Sequence, residues 1–264
     1  YSLPMVPNTL SLWVMQASDR LVITAMLGIE ANAVYAVANK IPNIFILVYN
    51  TFNMAWIESA SLAYDDRDST KYYSQVFNAL FNFLIGAMTI LIIATPWLFD
   101  ILIKGAYYEA YYQMPILYMG MFFSSLSAYY GGIYIASKKT KKIGLSSAFG
   151  AIINLILNLI FIKRIGIYAA SISTLVSYLI LAIFRLIDTR KIRYIQYKWD
   201  KIIFSLLMLA LISFINYQRV ATLDLLNLIL GLIFALVINR ELVSKAIKYL
   251  TKQIKDIKKW GKNG

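Results

Sequence analysis

Cysteine and histidine are absent from the 264 residues. Their absence removes thiol chemistry, disulfides, the commonest metal ligand and the commonest general base, and no metal or cofactor is expected. Charge is scarce too, at 15% of residues, and acids are scarcer still, with 13 against 26 bases. No charged segment with a cleavage site precedes the first apolar run, and the first residue is Tyr, so the chain is expected to be the C-terminal part of something longer.

What is present is apolar. A hydrophobic share of 60% and a mean hydropathy of +0.64 lie outside the range of soluble domains and inside that of integral membrane proteins. A bilayer core of roughly 30 Å takes about 20 mostly apolar residues per helix. Eight such spans are expected, over 8–28, 33–63, 73–99, 113–136, 143–162, 167–187, 202–218 and 224–239. The fold class is therefore an all-α, multi-pass membrane protein. After the sixth span the composition shifts to "DTRKIRYIQYKWDK". This boundary divides the chain into six helices over 1–187, two additional ones over 188–240 and a basic tail over 241–264.

Orientation follows from Lys and Arg in alternate loops. One side collects twenty, including Lys138 to Lys142, Arg185 to Lys201 and eight from Arg240 onward, while the other has Lys104, Lys163, Arg164 and Arg219. The first side is read as cytoplasmic, with both ends of the chain there and the protein in the cell membrane. The net charge of +13 needs no nucleic acid. In the tail, Lys245, Lys248, Lys252, Lys255, Lys259 and Lys262 repeat at three and four, with Val243, Ile247, Leu250, Ile254 and Ile257 on another face. Such a helix lies on anionic lipid headgroups; a solvated charged tail is the plainer alternative.

Only Arg20 and Lys40 remain for the membrane interior, with Asp19 beside Arg20. A charge at a helix centre costs roughly 2.5–3.5 kcal/mol on the insertion scale, and neighbours on a helix point about 100° apart, so Asp19 and Arg20 cannot neutralise each other. Counting from a turn near Glu30, Arg20 and Lys40 fall at the same depth on antiparallel helices, which predicts an Asp19–Lys40 tie. Arg20 is then left without an acid, Glu58 being near the far end of its helix. A guanidinium so placed suits an anionic ligand, because it grips phosphate with two parallel donors.

Along the second span Asn32, Asn39, Asn43 and Asn50 fall within about 40° of arc, with Asn53 about 60° off, so amides line one face of one long helix. Polar glue between helices and the wall of a wet cavity are both open, the cavity being favoured because glue rarely needs five amides. Pro42 predicts a kink there. Elsewhere, Ser125, Tyr129 and Gly132 share a side of the fourth span, and Asn154 and Asn158 lie one turn apart on the fifth, with Ser147 above. Gly131, Ser171 and Ser177 read as packing residues, and Tyr107, Tyr108, Tyr111 and Tyr112 as an interfacial aromatic belt.

The stretches "SDRLVITAMLGIEANAVYAVANKIPNIF" and "YNTFNMAWIESA" resemble the start of the second lobe of Wzx-like polysaccharide flippases, a branch of the multidrug/oligosaccharidyl-lipid/polysaccharide exporter superfamily. The matching features are Asp19-Arg20, Leu27-Gly28, Tyr35 to Pro42 and Phe52 to Trp56, dense over about 50 residues and in order over six spans. The later helices match only in number and length. The resemblance implies two six-helix lobes facing each other in a V, of which this chain supplies the second plus two extra helices. It also implies a polyprenyl-pyrophosphate-linked oligosaccharide moved unaltered from the cytoplasmic to the outer leaflet, so that no nucleophile or base is required and the protein is expected not to be an enzyme. Arg20 or Lys40 would meet the pyrophosphate, and Asn32, Asn39, Asn43, Asn50 and Asn53 the sugars, with Asp19 serving structure or ion coupling. The missing first lobe would form the other wall.

Three other classes compete. A proton- or Na⁺-coupled multidrug antiporter of the same fold would use Asp19, its one mid-membrane acid. A membrane glycan polymerase or ligase would carry a large outer loop, and the outer loops here are short. An assembly partner would not need the asparagines.

Overall fold

The computed structural model describes residues 6–103, 107–244 and 248, and within them the chain is all α-helix, without strands. The helices are α1 (Val6–Leu27), α2 (Ile29–Ala38), α3 (Lys40–Leu62), α4 (Ser69–Leu102), α5 (Glu109–Ala136), α6 (Thr140–Ile165), α7 (Tyr168–Thr189), α8 (Trp199–Gln218) and α9 (Ala221–Ile238). With α2 and α3 taken as one broken span, these are the eight expected segments, each displaced by a few residues at its ends. Among the described residues α4, α6, α7, α8 and α9 are long and apolar enough to cross a membrane, and the α2–α3 pair makes a sixth. The protein is a multi-pass membrane protein.

The helices α1 and α5 are as long but less apolar, and their positions explain it. Helix α5 is the centre of the bundle, packed by α3, α4 and α7, and most of its residues are buried, so it has little lipid-facing surface to make apolar. Helix α1 packs on α6 and leaves Trp13, Gln16 and Arg20, spaced three and four, exposed along one face.

Breaks between helices follow from local chemistry. Gly28 ends α1 at φ 94, a left-handed conformation that favours glycine, and Gly166 does the same between α6 and α7 at φ 60. The α2–α3 break bends the chain by 46° at Asn39. Pro42, in the first turn of α3, has no N–H to bond the carbonyl of Ala38, so the helix parts three residues before the proline. Pro96 lies inside α4, and the carbonyl it leaves free, that of Ile92, accepts from Asn216 Nδ2 of α8 at 2.8 Å. A neighbouring helix thus repairs the ladder, and α4 runs on for 34 residues.

Without a hydrophobic difference between lipid and helix, association rests on close packing and side-chain bonds to carbonyls. Trp56 Nε1 donates to the carbonyl of Tyr129 at 2.9 Å, and a Cβ on Gly132 would lie 2.4 Å from that nitrogen. Tyr49 donates to the carbonyl of Ser125 at 2.6 Å. Ser125, Tyr129 and Gly132 are thus the seat of α3 on α5. Helices α8 and α9 pack on α4. The linker ahead of them is pinned by Arg193, which donates to Ser69 Oγ and the carbonyl of Tyr64, each at 2.7 Å, and lies over the Tyr64 ring. At the other end Arg219 pairs with Asp100 at 2.6 Å and sits among the rings of Phe99, Tyr108 and Tyr111. Tyr111 is fully buried there, whereas Tyr107 and Tyr108 are exposed.

Candidate functional site

Asp19 is buried, 3% exposed, where α1, α2, α6 and α7 meet. Its Oδ2 accepts from the Tyr35 hydroxyl of α2 at 3.0 Å and from Thr174 Oγ1 of α7 at 2.6 Å. Its Oδ1 accepts from Asn158 Nδ2 of α6 at 2.8 Å. One turn away, Asn154 Nδ2 donates to Ser173 Oγ and Thr174 Oγ1, both at 3.3 Å, and Asn154 Oδ1 accepts from Ser18 Oγ at 3.4 Å. The carboxylate therefore ties four helices with neutral donors. Asn158 Oδ1 is buried without a partner among the described residues.

This arrangement overturns the expected Asp19–Lys40 tie. Lys40 opens α3 beyond the bend, exposed, and the ion pairs among the described residues are Lys142–Asp188 and Arg219–Asp100. Equal depth placed the two charges level, but the 46° break and the reach of Tyr35 gave the Asp19 pocket to hydroxyls and amides instead.

Arg20, one residue on, turns to the open side of α1. It is exposed, and among the described residues it forms no ion pair. With Gln16, Asp19, Tyr35, Asn39 and Asn43 it lines a cavity of about 320 Å³ that also takes in Trp13, Met121, Thr174 and Tyr178. A cationic fork, amides and aromatic rings around one opening can hold an anion and the hydroxyls beside it.

The five asparagines do not share one face, because the helix that would align them is broken. Asn39, at the break, is buried and spends its Nδ2 on the carbonyl of Tyr35 at 2.9 Å. Asn43 is exposed at the cavity, and Asn50 is exposed farther along α3. Asn32 on α2 and Asn53 on α3 are half-buried, each with a buried amide oxygen lacking a partner. Arg20, Asn39 and Asn43 are brought together; Lys40, Asn32, Asn50 and Asn53 are not. Glu58 is exposed near the end of α3.

Sequence reasoning missed Tyr35 and Thr174 as partners of Asp19. Thr174 falls on the stripe of Ser171 and Ser177, read as packing alone, and Asn154 and Asn158 one turn apart on a facing helix were the available signal. It also missed Arg185. Counted with the basic end of the chain, this residue is buried in α7, 4% exposed, with no acid beside it. Its guanidinium donates to Ser146 Oγ at 3.0 Å, Ser147 Oγ at 2.7 Å and the carbonyls of Ser127 and Ile143 at 3.0 and 3.3 Å, so it locks α5, α6 and α7. Of the basic tail, only 241–244 and 248 are among the described residues, so its expected amphipathic pattern lies outside them. No group of three or more acidic side chains forms among the described residues. Around Asp19 the neighbouring side chains present N–H and O–H donors, and Asn158 Oδ1 is an oxygen there without a partner.

The described residues thus form an all-helical membrane bundle with a cavity lined by Arg20, Asp19 and amides. The chain is similar in fold to the lipid II flippase MurJ in an inward closed conformation, with a TM-score of 0.66 and 17% identity over 91% of this chain and 53% of that one. It is also similar to the Vibrio cholerae MATE transporter VcmN in its bent form, with a TM-score of 0.59 and 19% identity over 82% of this chain and 51% of that one. Both belong to the exporter superfamily named above, and at these identities the likeness establishes the fold. The chain spans about half the length of each structure it matches. No family model matches the sequence, and no curated protein matches it.

Proposed function

We propose that the chain is the second lobe of a flippase that carries a polyprenyl-pyrophosphate-linked oligosaccharide from the cytoplasmic to the outer leaflet of the cell membrane, with 188–240 as two added helices. The observation that carries this reading is Arg20, exposed and outside the ion pairs of the described residues, at a cavity lined by Gln16, Asn39 and Asn43. The pyrophosphate meets the guanidinium in a bidentate contact, and the sugar hydroxyls meet Asn39, Asn43 and Gln16. Lys40, Asn32, Asn50 and Asn53 line the path farther from the anchor. A first lobe, supplied by the rest of the longer protein, closes the other wall. Transport leaves the substrate unaltered, so no nucleophile or base is used, and the cations of the lysine-rich side, nineteen once the buried Arg185 is set apart, keep that side in the cytoplasm. The basic tail rests on anionic lipid.

The oxygens around Asp19 favour one further element. Asp19, Asn154, Asn158 and Thr174 bind a monovalent cation that couples transport to an ion gradient, and the same cluster would serve an antiporter. The two readings separate in one assay. In a host lacking its own flippase, the full-length protein is expected to expose the lipid-linked oligosaccharide to an impermeant glycosidase. Arg20→Ala is expected to lower that exposure at least tenfold, since a hydrogen bond to a charged group is worth about 1.5–3 kcal/mol. Normal exposure with Arg20→Ala refutes the anchor. Retention of the glycan inside, with efflux of cationic drugs, favours the antiporter.

A further inference from the structure

Away from the Arg20 cavity, a groove of about 250 Å³ opens between the start of α6 and the end of α7. Its walls are Leu145, Phe149 and Phe184, which are 63%, 54% and 47% exposed. Its polar rim is Lys142, whose Nζ lies 2.7 and 2.8 Å from the two oxygens of Asp188. Tyr134 donates to Asp188 Oδ2 at 2.8 Å, so the acid is fully engaged from within the bundle. The ammonium has three donors, two of which go to Asp188, and its side chain is 42% exposed. Lys138, Lys139, Lys141, Arg190 and Lys191 are exposed at the same end of the two helices. The rim is thus positive on balance, with one lysine donor to spare.

The dimensions match one lipid. Phe149 is seven residues past Lys142, about 10 Å along α6 at 1.5 Å per residue, which is the distance from a headgroup into the upper acyl chain. We propose that this groove is a binding site for one anionic glycerophospholipid of the leaflet on the lysine-rich side, with its phosphate on Lys142 and one acyl chain between Phe149 and Phe184. Basic pockets between transmembrane helices hold such headgroups by charge, and the aromatic walls here hold the chain by contact. The site is separate from the basic tail and from the transport reading, and neither is needed for it.

The test places a reporter in the groove of the full-length protein. Phe149→Trp is reconstituted in bilayers containing phosphatidylglycerol or phosphatidylcholine brominated at the same acyl carbons, and quenching is corrected for the parent protein's tryptophans. Phosphatidylglycerol is expected to be enriched about fivefold at the reporter, the factor that one lysine near a membrane surface supplies. The double variant Lys142→Gln with Asp188→Asn keeps the net charge and leaves no unpaired acid, and it is expected to abolish the preference while Lys142→Arg retains it. Equal quenching by the two lipids overturns the proposal. So does a preference that survives the double variant, which would assign it to the surrounding surface lysines.

Discussion

Two sets of asparagines divide the molecule. Those on α6, α8 and α9 are buried and bonded across helices: Asn216 to the carbonyl of Ile92, Asn227 to the carbonyl of Ile212 at 3.0 Å, and Asn158 to Asp19. On α2 and α3, by contrast, Asn43 and Asn50 are exposed and Asn32 and Asn53 are half-buried. The same residue type is cement in one region and open lining in the other. A backbone carbonyl or a buried carboxylate on a facing helix gives an amide something to bond within the bundle, whereas among the described residues Asn43 and Asn50 of α3 are left exposed. The amides that hold the fold and those available to a ligand are therefore told apart by what packs across from them.

That contrast can be broken by substitution. The largest effect is expected at Asp19. Asp19→Leu strands the donors of Tyr35, Asn158 and Thr174 in the interior and is expected to destabilise the protein by about 3 kcal/mol or more, seen as a lowered unfolding midpoint in detergent, with Asp19→Asn costing less. Arg185→Leu follows at about 3 kcal/mol, because two carbonyls and two hydroxyls lose their donor, and Arg185→Lys is expected to recover only part of it. Asn216→Leu is expected to cost about 1–2 kcal/mol, as the Ile92 carbonyl loses its donor while the Tyr111 hydroxyl keeps the backbone carbonyl of residue 216. The smallest effect on stability is expected at Asn43. Asn43→Leu should change the unfolding midpoint by no more than about 0.5 kcal/mol while lowering glycan exposure in the transport assay. A midpoint loss at Asn43 equal to that at Asn216 would erase the distinction between the two sets.

Much of the architecture was legible from residues alone. The helical segments and the Leu27-Gly28 turn lie near their expected places, because hydrophobic length and a left-handed glycine are local properties. The bend by Pro42 was legible for the same reason; its consequence for Asn32 to Asn53 was not, since a uniform 100° per residue assumes an unbroken helix. Charge in the interior was half legible. Asp19 and Arg20 stood out in an apolar run, whereas Arg185 lay close enough to a basic loop to be counted with it.

The sequence by itself determined that the chain is a membrane-spanning helical bundle, because the bilayer requires each span to satisfy its backbone internally and to be apolar over its length. Only the tertiary structure decided how each charge is answered. Asp19 is met by Tyr35, Asn158 and Thr174 rather than by Lys40, and Arg185 by hydroxyls and carbonyls rather than by an acid. Sequence spacing reports depth and face, but a partner is set by which helices lie side by side and by how far a side chain reaches between them. In a medium without water, that reach settles whether a polar group is held inside the fold or left open to a ligand.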